Sequence, residues 1–185
     1  MIRKPWRKLT PFVLYGLIVT GLGAAAVMSQ HGSLIGRLLL VGAGLLTWCL
    51  GEYVMHRFAF HYEHRFTTFR TMHLGHHDDP LAMDHLFVSP WLCFPTGIGY
   101  CLVAWSILGD WQSMSFLFIG ASIGYFAYEF LHYHAHHSHL SFGPLKYLKK
   151  YHLLHHGETP NLRFGVTSPF IDHLFRTFRS INDHR

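Results

Sequence analysis

The chain has 185 residues, half of them hydrophobic and only 14% charged, with a formal net charge of +5. That length suits one domain with a real core, while so few charges exclude an ordinary soluble surface. The basic balance is not interleaved with an aromatic platform of any nucleic-acid-binding module, so nucleic acid is not an expected partner. Cys49, Cys93 and Cys101 lie in apolar runs without a C-x-x-C pair, which excludes a disulfide framework and a cysteine zinc site.

Residues 11–29 carry no charge and match the roughly 20 residues needed to cross a bilayer. The run exceeds the apolar core of a signal peptide, so it reads as an uncleaved first span. Residues 34–55 form a second span, apolar except for Arg37 near its start and Glu52 near its end. Residues 86–108 and 112–130 form a third and a fourth, joined by a short turn at "GDWQ". The expected fold is all-α: a multi-pass integral membrane protein, residues 1–185 being a single domain with four transmembrane helices in two hairpins. Fourteen of the 15 Lys and Arg residues fall on one side of this topology, Arg37 being the exception. Basic residues collect on the cytoplasmic side, so both termini and the segments 56–84 and 131–185 are expected there.

Those two segments hold 16 of the 18 histidines. "MHLGHH" places His73, His76 and His77 at i, i+3 and i+4, and "YHLLHH" repeats the pattern with His152, His155 and His156. Such offsets share one helix face, so each triplet is expected to aim three imidazoles at one locus. His132 and His136 make a further i, i+4 pair. His56 and His61, at i, i+5, lie well apart on a regular helix, which calls for a helix end, a bulge or two different metals. Ten imidazoles are too many for one ion, so two metals with about five nitrogens each are expected, in a cytoplasmic helical cap. His31, His64, His85, His134, His137, His139, His173 and His184 read as surface or core residues, with His134, His137 and His139 near enough to compete as ligands. Ligating imidazoles usually present their second nitrogen to an acceptor, and Glu129 and Asp172 are the carboxylates expected to orient them. Phe58, Phe60, Phe164 and Phe170 are candidate lining for an apolar chain, with core packing the stronger reading. Protonated imidazole does not bind metal, so activity is expected to fall below pH ~6.

The four boxes, His56 with His61, His73 with His76 and His77, His132 with His136, and His152 with His155 and His156, resemble those of the membrane fatty acid hydroxylase and sterol desaturase superfamily. The resemblance covers about residues 45–180. "EYVMHRFAFH", "YEFLHYHAH" and "NLRFGVTSPFIDHLFRTF" are most similar to the fatty acid and ceramide 2-hydroxylase branch. Where that branch has Asp before its third box this chain has Glu129, and only 11 residues separate His61 from His73.

The resemblance implies an O2-dependent monooxygenase with two iron ions, for which zinc can substitute in purified protein, hydroxylating a lipid acyl chain. It implies electrons from a separate donor of cytochrome b5 or ferredoxin type, and a bacterial inner membrane or endoplasmic reticulum as host. A sterol or carotenoid hydroxylase or desaturase is the alternative within the superfamily. A divalent-metal transporter is the alternative outside it, although its ionisable groups belong at mid-membrane depth, where these spans are nearly bare.

Overall fold

The computed structural model describes residues 6–29, 32–61, 67–88, 90–139 and 142–183, and every regular element among them is helical. His31, Glu63, His64 and His184 lie outside the described residues. Each of the four apolar stretches is a helix: α1 (Trp6–Met28), α2 (Leu34–Val54), α5 (Pro90–Leu108) and α6 (Trp111–His137). A π-helix, Met55–Phe60, continues α2, and α3 (Thr67–Asp78) and α4 (Met83–Leu86) follow it. After α6 come α7 (Gly143–His156) and α8 (Phe170–Leu174).

Two of these helices, Leu34–Phe60 and Trp111–His137, are long and apolar enough to cross a membrane. Phe12–Met28 and Leu92–Leu108 are shorter apolar helices. The third helix begins at Pro90 rather than at residue 86, because Phe87 is extended and proline suits a first helical turn. The fourth runs on to His137, past residue 130, so one uninterrupted helix carries an apolar span and then His132 and His136.

The chain divides into two compact units. The first holds residues 1–46 and 89–123. Its tightest packing is a backbone approach of α2 and α6: a Cβ on Gly44 would fall 2.0 Å from the Leu117 carbonyl oxygen, and one on Gly120 would fall 2.0 Å from that of Val41. Only glycine permits that spacing, which is how helices pack where no water drives them together. Tyr15 packs on Phe118 with ring centroids 5.7 Å apart. Leu17, Ile35, Leu39 and Ile107 point outward, each more than 60% exposed. An apolar coat of that kind suits lipid and not water.

The second unit holds residues 47–88 and 124–185, and all ten box histidines lie in it. Its apolar core is Tyr53, Phe164 and Ile171, packed against Cys49. α7 opens at Gly143-Pro144, with φ +44° at the glycine, and stops at Gly157. Its buried face is Tyr151, His152, Leu154 and His155.

Candidate metal centre

The ten box histidines gather into two groups of five, with one ring nitrogen from each lying within 4.8 Å of the others in its group. The first group is His56, His61, His73, His77 and His155; the second is His76, His132, His136, His152 and His156. His134, His137, His139 and His173 are in neither. His134 instead stacks on Phe130, and His173 stacks on Phe178.

The expectation that each triplet serves one locus is corrected. α3 sends its i, i+4 pair, His73 and His77, to the first group and His76 to the second, while α7 sends His152 and His156 to the second and His155 to the first. Residues i+3 and i+4 differ by about 100° around a helix, enough to aim at two adjacent centres. The His56 and His61 offset is resolved by the π-helix between them. Its i→i+5 hydrogen bonds widen the turn and bring positions five apart to one side, so both reach the first group.

The donor chemistry calls for a cation. His73 Nε2 lies 3.0 Å from His56 Nε2, 3.0 Å from His61 Nε2 and 3.1 Å from His77 Nε2. One neutral imidazole has a single N–H, so these contacts cannot all be hydrogen bonds. In the second group, His136 Nε2 sits 3.2 Å from His76 Nε2 and 3.0 Å from His152 Nε2. Backbone carbonyls fix three tautomers: His56 Nδ1 donates to Phe164 O (2.5 Å), His155 Nδ1 to Leu162 O (2.7 Å) and His132 Nδ1 to Leu86 O (3.0 Å). Each then turns an Nε2 lone pair inward, and those of His132 and His155 are buried without a protein hydrogen-bond partner. Converging lone pairs of this kind fit a metal ion, and borderline metals such as iron and zinc accept imidazole nitrogen.

Electrostatics keep these rings neutral. Burial, with neighbouring His77 and Arg70 adding to it, lowers His61 to about 4. Burial also lowers His77 to about 4, with Asp78 opposing. His73, His152, His155 and His156 lie well below the ordinary histidine range, through burial first and then the surrounding histidines. Neutral imidazole is the form that binds metal.

The carboxylates expected to orient histidines act through the backbone. Asp172, fully buried, accepts the N–H groups of Phe164 (2.9 Å) and Gly165 (2.8 Å) and the Thr177 hydroxyl (2.7 Å). Glu129 accepts the Val88 N–H at 3.1 Å, two residues past the Leu86 carbonyl that receives His132. The groups that take the ring protons are carbonyls of Leu86, Leu162 and Phe164, for which a sequence has no signal. Glu52 also belongs to this network, accepting the N–H groups of Val166 and Thr167, and a lone carboxylate ending an apolar span was its signal. Of the candidate lining residues, Phe164 is core, packing on Tyr53, His56, His61 and His155, and Phe60 stacks on His73. Phe58 and Phe170 are exposed.

Arg163 holds the loop that follows α7. It is fully buried at φ +61°, a strained conformation for a residue other than glycine. Its guanidinium donates to the Arg179, Ser180 and Asp183 carbonyls and to the Thr159 hydroxyl.

The family model described as fatty acid hydroxylase matches residues 41–177. A dihydroceramide fatty acyl 2-hydroxylase of Arabidopsis thaliana is 36% identical over 147 residues, covering 75% of this chain and 60% of that protein. A ceramide very long chain fatty acid hydroxylase of Saccharomyces cerevisiae is 37% identical over 147 residues, covering 73% of this chain and 36% of that protein. The chain therefore spans less than two thirds of the length of these relatives. A solved structure described as full-length scs7p, with only the hydroxylase domain visible, matches with a TM-score of 0.82 and 29% identity, over 95% of this chain and 67% of that one.

Proposed function

The chain belongs to the fatty acid hydroxylase family, and from that premise we propose that it is a membrane-bound dimetal oxygenase placing a hydroxyl on carbon 2 of a lipid acyl chain. The substrate class is a fatty acid or ceramide-type lipid. The observation that carries the reading is the pair of adjacent five-imidazole groups.

In this reading each group holds one iron ion. Bound iron supplies oxygen activation for attack on an aliphatic C–H bond, which side-chain acids and bases do not provide. The chain's own residues do the rest. The ten histidines offer unprotonated nitrogens, with His56, His132 and His155 locked in tautomer by carbonyl acceptors. Phe60 and Phe164 cover the first group with apolar rings, shielding it from water. Residues 1–185 act as one hydroxylase domain with four spans, placing the histidine cap and both termini on the cytoplasmic side, as the distribution of Lys and Arg favours. O2 is the co-substrate, and electrons come from a separate protein of cytochrome b5 or ferredoxin type.

The test is reconstitution of the purified chain with ferrous iron under anaerobic conditions, followed by a reduced donor, 18O2 and a mixed pool of acyl lipids, sterols and carotenoids. The expected product is a 2-hydroxy acyl lipid carrying one 18O atom. A fully loaded protein whose product is a hydroxylated sterol or carotenoid, or that forms no lipid product, overturns the assignment.

A further inference from the structure

Two buried carboxylates take four consecutive backbone N–H groups in the segment that follows α7. Asp172 accepts those of Phe164 and Gly165, and Glu52 accepts those of Val166 (2.5 Å) and Thr167 (3.0 Å). Glu52 is only 7% exposed and is itself held by the Trp48 indole N–H at 3.1 Å and by the Thr167 hydroxyl. The segment has no slack, since a Cβ on Gly165 would meet the Ser168 carbonyl oxygen at 2.1 Å.

The planarity of the peptide bond turns this clamp into an aiming device. The Phe164 carbonyl and the Gly165 N–H belong to one rigid unit. Asp172 fixes the N–H end, so the carbonyl end is fixed where it meets His56 Nδ1. The Leu162 carbonyl, which meets His155, shares its unit with the Arg163 N–H, which donates to Thr177 O at 3.0 Å. The Thr177 hydroxyl in turn donates to Asp172. Glu52 fixes the next two units along the chain. Both histidines served are in the first group; the second has its own device, Glu129 on the Val88 N–H beside the Leu86 carbonyl that receives His132.

We propose that Glu52 and Asp172 are paired positioning residues for the first metal alone, holding the tautomer and aim of His56 and His155 through the 162–167 backbone, while Glu129 serves the second. The proposal rests on the dimetal reading given above. It follows that the two sites can be loosened separately by carboxylates that touch neither metal.

The test is zinc titration of the detergent-solubilised full chain against a competing chelator, in wild type, Glu52→Gln, Asp172→Asn and Glu129→Met. His152→Ala and His155→Ala backgrounds report the first and the second site respectively. Glu52→Gln and Asp172→Asn, each of which puts an amide N–H2 against donors, are expected to weaken the first site about 10- to 100-fold and to leave the second within about threefold; Glu129→Met, which removes the acceptor of the Val88 N–H, is expected to do the reverse. A structural role alone would not produce that reversal. Equal weakening of both sites, an unchanged first site, or loss of the folded state in both clamp variants overturns the proposal. Wild type binding fewer than two zinc ions refutes the dimetal reading itself, whereas two zinc ions with both sites intact in the clamp variants refutes this proposal alone.

Discussion

Acidifying the metal-free protein should destabilise it well before protons compete for metal. The neutral imidazoles of the folded chain sit below the ordinary histidine value of about 6.5, with His61 and His77 at about 4. Between those values the unfolded chain binds more protons than the folded one, so stability falls as pH falls. At about pH 5 the linkage is worth about 1 to 2 kcal/mol for each of His61 and His77 once partial exposure is allowed for. His73, His152, His155 and His156 act in the same direction. For a chain of this size the first two alone amount to a fall in Tm of at least about 5 °C between pH 7 and 5.

The assay is thermal unfolding of chelator-stripped and zinc-loaded protein across that range. Loading should raise Tm at every pH yet leave the slope above about pH 5 unchanged, because the rings are proton-free in both forms. Histidines of ordinary pKa would give the opposite: a flat stripped protein and a steep loaded one. That outcome, or a midpoint for metal release near pH 6.5 from protein that remains folded, would refute the reasoning.

The divided triplets predict that His155→Ala and His152→Ala each lower metal content from two ions to one, and that His139→Ala leaves two, as read by elemental analysis. Gly165→Ala should cost about 1 to 3 kcal/mol and weaken the first site, since its methyl would strike the Ser168 carbonyl and crowd the Asp172 carboxylate; denaturant midpoints and zinc titration check both. Gly120→Ala should destabilise by a similar amount through the Val41 carbonyl while leaving zinc affinity unchanged. Arg163→Ala should cost more than about 2 kcal/mol, because it empties a fully buried side-chain position and removes the guanidinium that ties the Arg179 and Ser180 carbonyls and the Thr159 hydroxyl together; a Tm within 2 °C of wild type would count against this.

Much of the site was legible because it is written in side chains at helical spacing. Two triplets stood out by offset, whereas spacing left His134, His137 and His139 competing with His132 and His136; the structure gathers His132 and His136 with the other box histidines into two groups and leaves those three in neither. The division between groups was not legible. A face-sharing rule treats i, i+3 and i+4 as one direction, whereas about 100° separates the last two, and only the placement of a second helix decides whether that angle matters. The π-helix at Met55–Phe60 was legible only as a misfit, the i, i+5 spacing of His56 and His61. The orienting acceptors escaped because Leu86, Leu162 and Phe164 contribute carbonyls, which every residue has. Span limits shifted for equally local reasons. Phe87 is extended, which delays the third helix to Pro90, while nothing between Phe130 and His137 stops the fourth.

The crossed arrangement explains why both triplets are needed. Each group takes two pairs and one single: His56 with His61, His73 with His77, and then His155; His132 with His136, His152 with His156, and then His76. Had α3 and α7 each served one group, the two centres would be joined only by whatever held those helices together. Because each helix serves both, its own hydrogen-bonded turn sets the offset between centres, and two helices set it twice. His77 of one group stacks on His156 of the other with centroids 4.0 Å apart, a contact that parallel assignment would not require. Spacing between the two groups is thus a shared property of rigid helices, while placement of ring protons is delegated to separate carbonyls for each group.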